Sequence, residues 1–326
     1  LGWTFLVDRM GAYFLMKRNF LFSFFIVAEV ILSSGCGTQQ EIPKTTAFYQ
    51  VVDSAGRTVK LEKKPERVVL LATAFPEILL AVDGDFEAWA NNPSIKEPAW
   101  ARGKKTVGYV YDINIESVVA MNPDLVVGLV GLHNKLEAVF KINNIPFLLL
   151  SLSRYEDVEN AIQVLADSTG HHEKGIKVVT AIRERMAITE KKMPDKGLTC
   201  AILHGTARTL TFEGEETIAG ETAKRLHISN VFAGMFIDGT NMVPFNLEAL
   251  VEKNPDIIFL TTMMLPGKEE EAFKVFFEQP AWAGLKAVQT GRVYFLPQNL
   301  FLSSPGIHYP EALEIMANLA YEGDLE

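Results

Sequence analysis

Cysteine is nearly absent. Of the two in the chain, Cys36 falls in a leader-like segment and Cys200 stands alone. No intrachain disulfide can therefore brace the fold beyond Cys36, and a hydrophobic core must supply its stability. A positive excess is also missing: 31 Lys and Arg against 40 Asp and Glu give a formal charge of -9. A nucleic-acid partner is disfavoured, because a phosphate-binding surface needs a basic surplus to release counterions. No apolar run reaches the ~18–20 residues that carry a helix across a bilayer. The chain has no Gly-x-Ser-x-Gly elbow and no His-Glu-x-x-His helix. Gly170 to Lys177 has the glycine spacing of a phosphate loop but lacks its Lys-Ser/Thr pair, which leaves a hydrolase as the weaker reading. Six histidines, two of them adjacent, are few for a free transition-metal site built from three or four His and carboxylate ligands.

The first residues read as a processing signal. Met16-Lys17-Arg18 supplies a basic start, Phe20 to Leu32 an apolar stretch of h-region length, and Ser33-Ser34-Gly35 small residues before Cys36. Residues before Met16 form an upstream extension. The ending resembles a lipobox, in which the cysteine becomes diacylated after cleavage, although Leu32 sits one position further from the cysteine than the usual leucine. We therefore expect a signal with its extension over 1–35 and a lipidated Cys36 with a polar tether over 36–46. The protein is then exported and held by its lipid at the outer face of the cytoplasmic membrane.

An internal repeat organises the remainder. Asn114 to Val127 aligns without a gap on Asn246 to Phe259, with Asn, Glu, Val, Asn, Pro and Asp identical at equivalent positions. Each copy reads as an Asn-capped helix, an Asn-Pro-Asp stop and a buried strand. Strand and helix patterns alternate elsewhere: strands at 67–73, 124–130, 146–151, 198–205, 257–262 and 292–296, and helices at 76–82, 135–143, 217–226, 269–277 and 310–320. Between the halves, Ile176, Val179, Ile182 and Met186 repeat at helical spacing. The expected fold is α/β, with two doubly wound lobes of mostly parallel sheet (47–155 and 196–326) joined by one long α-helix within 156–195, and a ligand cleft between the lobes.

With these pieces the chain resembles the solute-binding proteins that deliver iron-siderophore complexes, heme or cobalamin to ABC importers. The resemblance rests on the paired repeat and on Asp53 to Val59 followed by Pro65-Glu66-Arg67-Val68-Val69. It extends to Trp282 to Val288, Gly291 to Tyr294, and Pro305-Gly306 ahead of Glu311. It implies a monomeric binding protein without catalysis or intrinsic cofactor, carrying a ferric siderophore or heme, with a corrinoid or a free metal as alternative cargo. It also implies a partner, the dimeric ABC permease with its ATPase, which one acid on each lobe would dock. Glu116 and Glu248 hold the matching, repeat-equivalent positions.

Ligands of open α/β sheets bind beyond the carboxyl ends of the strands. That rule nominates Phe75, Tyr109, Tyr111 and His133 in the first half, and Arg208, Phe212, Met242 and His308 in the second. An aromatic, thioether and imidazole lining suits a flat or chelated ligand. Were the cargo heme, Tyr109, Tyr111, His133, Met242 or His308 would supply the axial ligand. Were it an anionic ferric chelate, Arg208 and Arg102 are the nearest cations. His308 stands where the resembled family often carries Arg.

Overall fold

The computed structural model describes residues 47–93, 97–206, 208–236, 240–264, 268–302 and 304–321. The expected leader, Cys36 and the tether lie outside them. The chain opens with the hairpin β1 (Tyr49–Val52) and β2 (Thr58–Leu61). At its turn the Asp53 carboxylate accepts backbone N–H bonds from Ala55, Arg57 and Leu149, and so fastens the hairpin to the first lobe.

That lobe is built from β3 (Val68–Leu70), α1 (Phe75–Ala81), β4 (Ala88–Asn91), β5 (Lys105–Tyr109), β6 (Asp112–Ile113), α2 (Ile115–Ala120), β7 (Leu125–Leu129), α3 (Glu137–Ile142) and β8 (Phe147–Leu150). Its sheet runs β6-β5-β4-β3-β7-β8 and is parallel except for the edge strand β6. Two helices follow, α4 (Tyr155–Ser168) and α5 (His172–Lys192). The second lobe contains β9 (Thr199–Gly205), β10 (Leu210–Glu213), α6 (Ile218–Arg225), β11 (Ser229–Asn230), β12 (Met242–Pro244), α7 (Leu247–Lys253), β13 (Ile257–Thr262), α8 (Glu269–Phe277), α9 (Pro280–Ala283), α10 (Lys286–Gln289), β14 (Val293–Phe295), α11 (Gln298–Phe301) and α12 (Tyr309–Ala320). Its sheet runs β12-β10-β9-β13-β14, with β11 also on β9 and with β10 antiparallel to both neighbours.

The repeat explains how each lobe closes. Asn114 and Asn246 cap α2 and α7, their side chains accepting from the Ser117 and Ala249 amides at 2.9 and 3.1 Å. Asn122 and Asn254 then take left-handed conformations that end these helices. The aspartates that follow reach sideways to the neighbouring strand. Asp124 accepts from the Glu66 amide and the Arg67 guanidinium at the start of β3, and Asp256 from the amide and hydroxyl of Thr199 at the start of β9. The Asn-Pro-Asp motif is thus a helix stop and a strand staple in both lobes.

The long helix expected between the lobes is α5, and the structure adds the shorter α4 ahead of it. The helix α4 precedes α5, and Arg183 of α5 pairs with Glu159 of α4. On its other side α5 meets α12 through Arg185 and Glu314, at 2.7 Å. Strand alternation divides the second lobe's apolar residues. Cys200, Ile202, Ile257 and Phe259 join a core that also holds β3, α1, α4 and α12 residues. Ala201, Leu203, Ile258 and Leu260 face a separate cluster with Phe212, Phe273 and Trp282. The Ile, Leu and Phe side chains among them contribute about 1.5–3 kcal/mol each on full burial.

Candidate functional site

Two cavities lie between the lobes. The smaller, about 260 Å³, forms where the carboxyl ends of β3 and β4 face the segment after β14. It is lined by Thr73, Glu77, Trp89, Asn91 and Trp100 on one side and by Asn299, Ser304, His308 and Glu311 on the other. The larger, about 760 Å³, has Ser54, Ser151, Arg154 and Asp157 facing Glu215, Glu216, Phe236 and Asn241. Between α1 and the turn Gly306–His308 the lobes touch. Gly306 has φ +53°, a left-handed conformation that glycine adopts without strain, and so permits the turn that packs against Ile78.

Trp89 and Trp100 meet edge to face with ring centroids 4.8 Å apart. Trp100 Nε1 donates to Glu77 Oε1 at 2.9 Å, whereas the buried Nε1 of Trp89 has no acceptor among the described residues. The other carboxylate oxygen of Glu77 reaches across the lobes to His308 Nε2 at 2.9 Å, and His308 Nδ1 meets Glu311 at 3.0 Å. The hydrogen bond to Glu77, opposed by burial and reinforced by Glu311, raises the His308 pKa to about 9. The same bond holds Glu77 below its ordinary value. The pair is therefore an imidazolium between carboxylates, with both ring nitrogens occupied.

This corrects His308 as a metal ligand, and a parallel correction applies to His133. That ring is buried. Its Nδ1 accepts from the Leu129 amide at 2.9 Å, so the proton sits on Nε2, which donates to the Val110 carbonyl at 2.9 Å. Burial lowers its pKa, keeping it neutral. His133 ties the end of β7 to the Tyr109–Asp112 turn and thereby holds up Tyr109 and Tyr111, both exposed. Gly108, at φ +97°, makes the turn possible, since a β-carbon there would come within 2.5 Å of the Asp112 carbonyl.

Phe75 and Phe212, nominated for the cleft, are core residues. Phe75 begins α1 beneath the sheet's end and is fully buried. The segment from His204 to Phe212 is a β9–β10 hairpin rather than a loop, and it turns Phe212 inward to stack on Phe232 at 3.8 Å. Arg208 is exposed at that hairpin's tip and Met242 is exposed on β12. Neither lines the two cavities. Glu116 and Glu248 stand exposed in the first turns of α2 and α7. Glu77, Trp89 and Trp100 went unnominated. The Glu77 bond to a histidine 231 positions away leaves no local pattern to find.

Two further contacts join the lobes. Arg154 before α4 lies 3.6 Å from Glu216. Glu221 of α6 accepts from the Tyr155 amide at 2.8 Å and from the Tyr309 hydroxyl at 3.0 Å, the two tyrosine rings being 5.1 Å apart.

Comparison with known proteins gives a consistent set. The family model described as "Periplasmic binding protein" matches residues 68–300. The Fe(3+) dicitrate-binding periplasmic protein FecB of Escherichia coli is 27% identical over 82% of this chain and 88% of its own. The uncharacterized ABC transporter substrate-binding lipoprotein YvrC of Bacillus subtilis is 23% identical over 94% of this chain and 98% of its own. Among solved structures, Staphylococcus aureus IsdE complexed with heme superposes with a TM-score of 0.69 at 19% identity, over 78% of this chain and 99% of that one. That likeness establishes the two-lobed fold.

Proposed function

The chain belongs to the periplasmic binding protein family, and on that premise we propose that it captures an iron complex, a ferric siderophore or heme, for an ABC importer. The observation that carries the reading is the inter-lobe site at the carboxyl ends of β3 and β4, with two tryptophans in its lining. Ligand sites in this architecture combine apolar walls with a few directed polar groups. The names of FecB and IsdE, a ferric citrate binder and a heme binder, support an iron chelate as cargo. With His133 and His308 both engaged, the remaining candidates for an axial contact to heme iron are Tyr109, Tyr111 and Met242, which are exposed but line neither cavity.

The reading extends to the membrane. Cys36 is the lipid attachment point, and Glu116 and Glu248 dock the permease, one from each lobe. Repeat-equivalent carboxylates suit a two-fold related partner. Among the described residues no helix is long and apolar enough to cross a membrane.

The test is an absorbance and tryptophan-fluorescence titration of the full chain in detergent with hemin, ferric hydroxamates, ferric catecholates, ferric dicitrate and cyanocobalamin. Saturable quenching by an iron complex is expected, with a shifted Soret band if it is hemin. Silence toward every iron complex defeats the proposal.

A further inference from the structure

His204 differs from His133 and His308 in having a bare ring nitrogen at the carboxyl end of a strand. It stands one residue before the end of β9, in register with Thr211 of β10 and Thr261 of β13. Its Nδ1 lies 3.0 Å from the Thr261 hydroxyl, and that hydroxyl donates to Glu213 Oε1 at 2.6 Å. A hydroxyl has one proton, so toward His204 it can only accept, and Nδ1 carries the ring's hydrogen. Burial lowers the His204 pKa, which keeps the ring neutral and leaves a lone pair on Nε2. Nε2 has no partner among the described residues, and unlike the indole nitrogens of Trp89 and Trp282 it is not closed off from solvent.

The groups behind the ring favour a positive charge in front of it. Glu213 is buried, and its only ion-pair partner among the described residues is His204, 3.6 Å away. Thr261 is buried as well, so carboxyl, hydroxyl and imidazole form a fixed line from the interior to the end of the sheet where ligands of this architecture bind. A ring held from behind through its Nδ1–H, with nothing on Nε2, is the arrangement that orients a metal-bound histidine and raises its basicity. A structural histidine has both nitrogens satisfied, as His133 does.

Resting on the iron-complex reading, we propose that His204 Nε2 coordinates the iron of the cargo, which is therefore a chelate with an open coordination position. Imidazole is a fitting ligand for iron. A hexadentate siderophore fills every position of Fe(III) and leaves no place for it. A planar tetradentate macrocycle leaves the axial positions vacant, so heme is the class that this nitrogen selects. Thr261 and Glu213 are positioning residues, because they act on the ring and not on the iron.

The full chain in detergent is titrated with hemin and, separately, with a ferric trihydroxamate, a ferric tris-catecholate and ferric dicitrate, following tryptophan fluorescence. The hemin complex is then reduced with dithionite, and its iron–histidine stretching band is read by resonance Raman. The band is expected in the natural protein and should vanish in His204→Ala, with hemin affinity at least about tenfold lower. In His204→Gly, added imidazole should restore hemin affinity and an iron–imidazole band, which a misfolded variant could not do. Thr261→Val keeps the side chain's shape and removes the hydroxyl. It should retain the band at lower frequency and raise the heme reduction midpoint, and an unchanged frequency overturns the role given to Glu213. A band that persists in His204→Ala assigns the iron to another residue and overturns the inference. So does tight binding of a hexadentate chelate with no response to hemin, which leaves the iron-complex reading intact. Silence toward hemin and every other chelate defeats both readings together.

Discussion

Replacing His308 with Gln tests the cross-lobe charge link quantitatively. The folded imidazolium has a pKa of about 9 against an ordinary 6.5. At full value such a shift is worth roughly 3 kcal/mol. The His308 side chain is 37% exposed, however, and solvent screening reduces this to about 1–2 kcal/mol. Because the folded pKa is raised, the stabilisation is fully present below pH 6.5 and disappears as pH rises through about 9. Glu77, whose own pKa is lowered, stays ionised throughout that window. For a chain of this size, 1–2 kcal/mol is roughly 2–4 °C in Tm. Thermal unfolding followed by circular dichroism at pH 6 and pH 10 is the assay. The natural protein should lose about that much more than His308→Gln between the two, other titrations cancelling in the comparison. Parallel pH profiles for the two proteins would refute the link.

Other substitutions probe separate parts of the structure. His133→Ala removes the acceptor for the Leu129 amide and the donor to Val110, and should cost about 2–4 kcal/mol in urea unfolding. The depressed His133 pKa also makes its stabilisation present above pH 6.5 and progressively lost below it, so the difference between natural protein and variant should narrow in acid. Gly220→Ala would place a β-carbon 2.1 Å from the Gly214 carbonyl, with no flexible side chain to yield, and should lower the yield of folded protein or cost more than about 2 kcal/mol. Cys200 is fully buried with its thiol pKa raised by that burial. Peptide mapping after iodoacetamide should find Cys200 unmodified in native protein and modified in guanidinium. Glu116→Gln with Glu248→Gln should leave chelate affinity unchanged and reduce uptake in a reconstituted importer.

Most regular elements were legible because their apolar period and stop signals agree: the sequence bounds of β13 and α8 coincide with those observed, and α1, α6 and α12 differ by a single residue at each end that moves. The repeat announced both helix-to-strand units. The antiparallel strand β10 is hidden in the sequence because Thr206 to Thr209 carries polar residues into the turn while Phe212 lies just beyond it. The site was less legible. His133 and His308 were visible as unusual residues, yet the same two ring nitrogens serve a metal or a hydrogen bond, and only geometry separates the uses. Glu77 looked like any acid in a helix's first turn until the fold brought His308 to it.

The shared core has a consequence for the order in which this protein is made. Tyr309, Leu313, Met316 and Tyr321 belong to the same apolar cluster as Val69, Leu70 and Ile78, although they are synthesised long after them. Tyr309 also covers Tyr155 of α4. A chain interrupted before α12 therefore displays greasy surface on its earlier half, however well that half has formed its strands. Completion of translation is written into the packing itself.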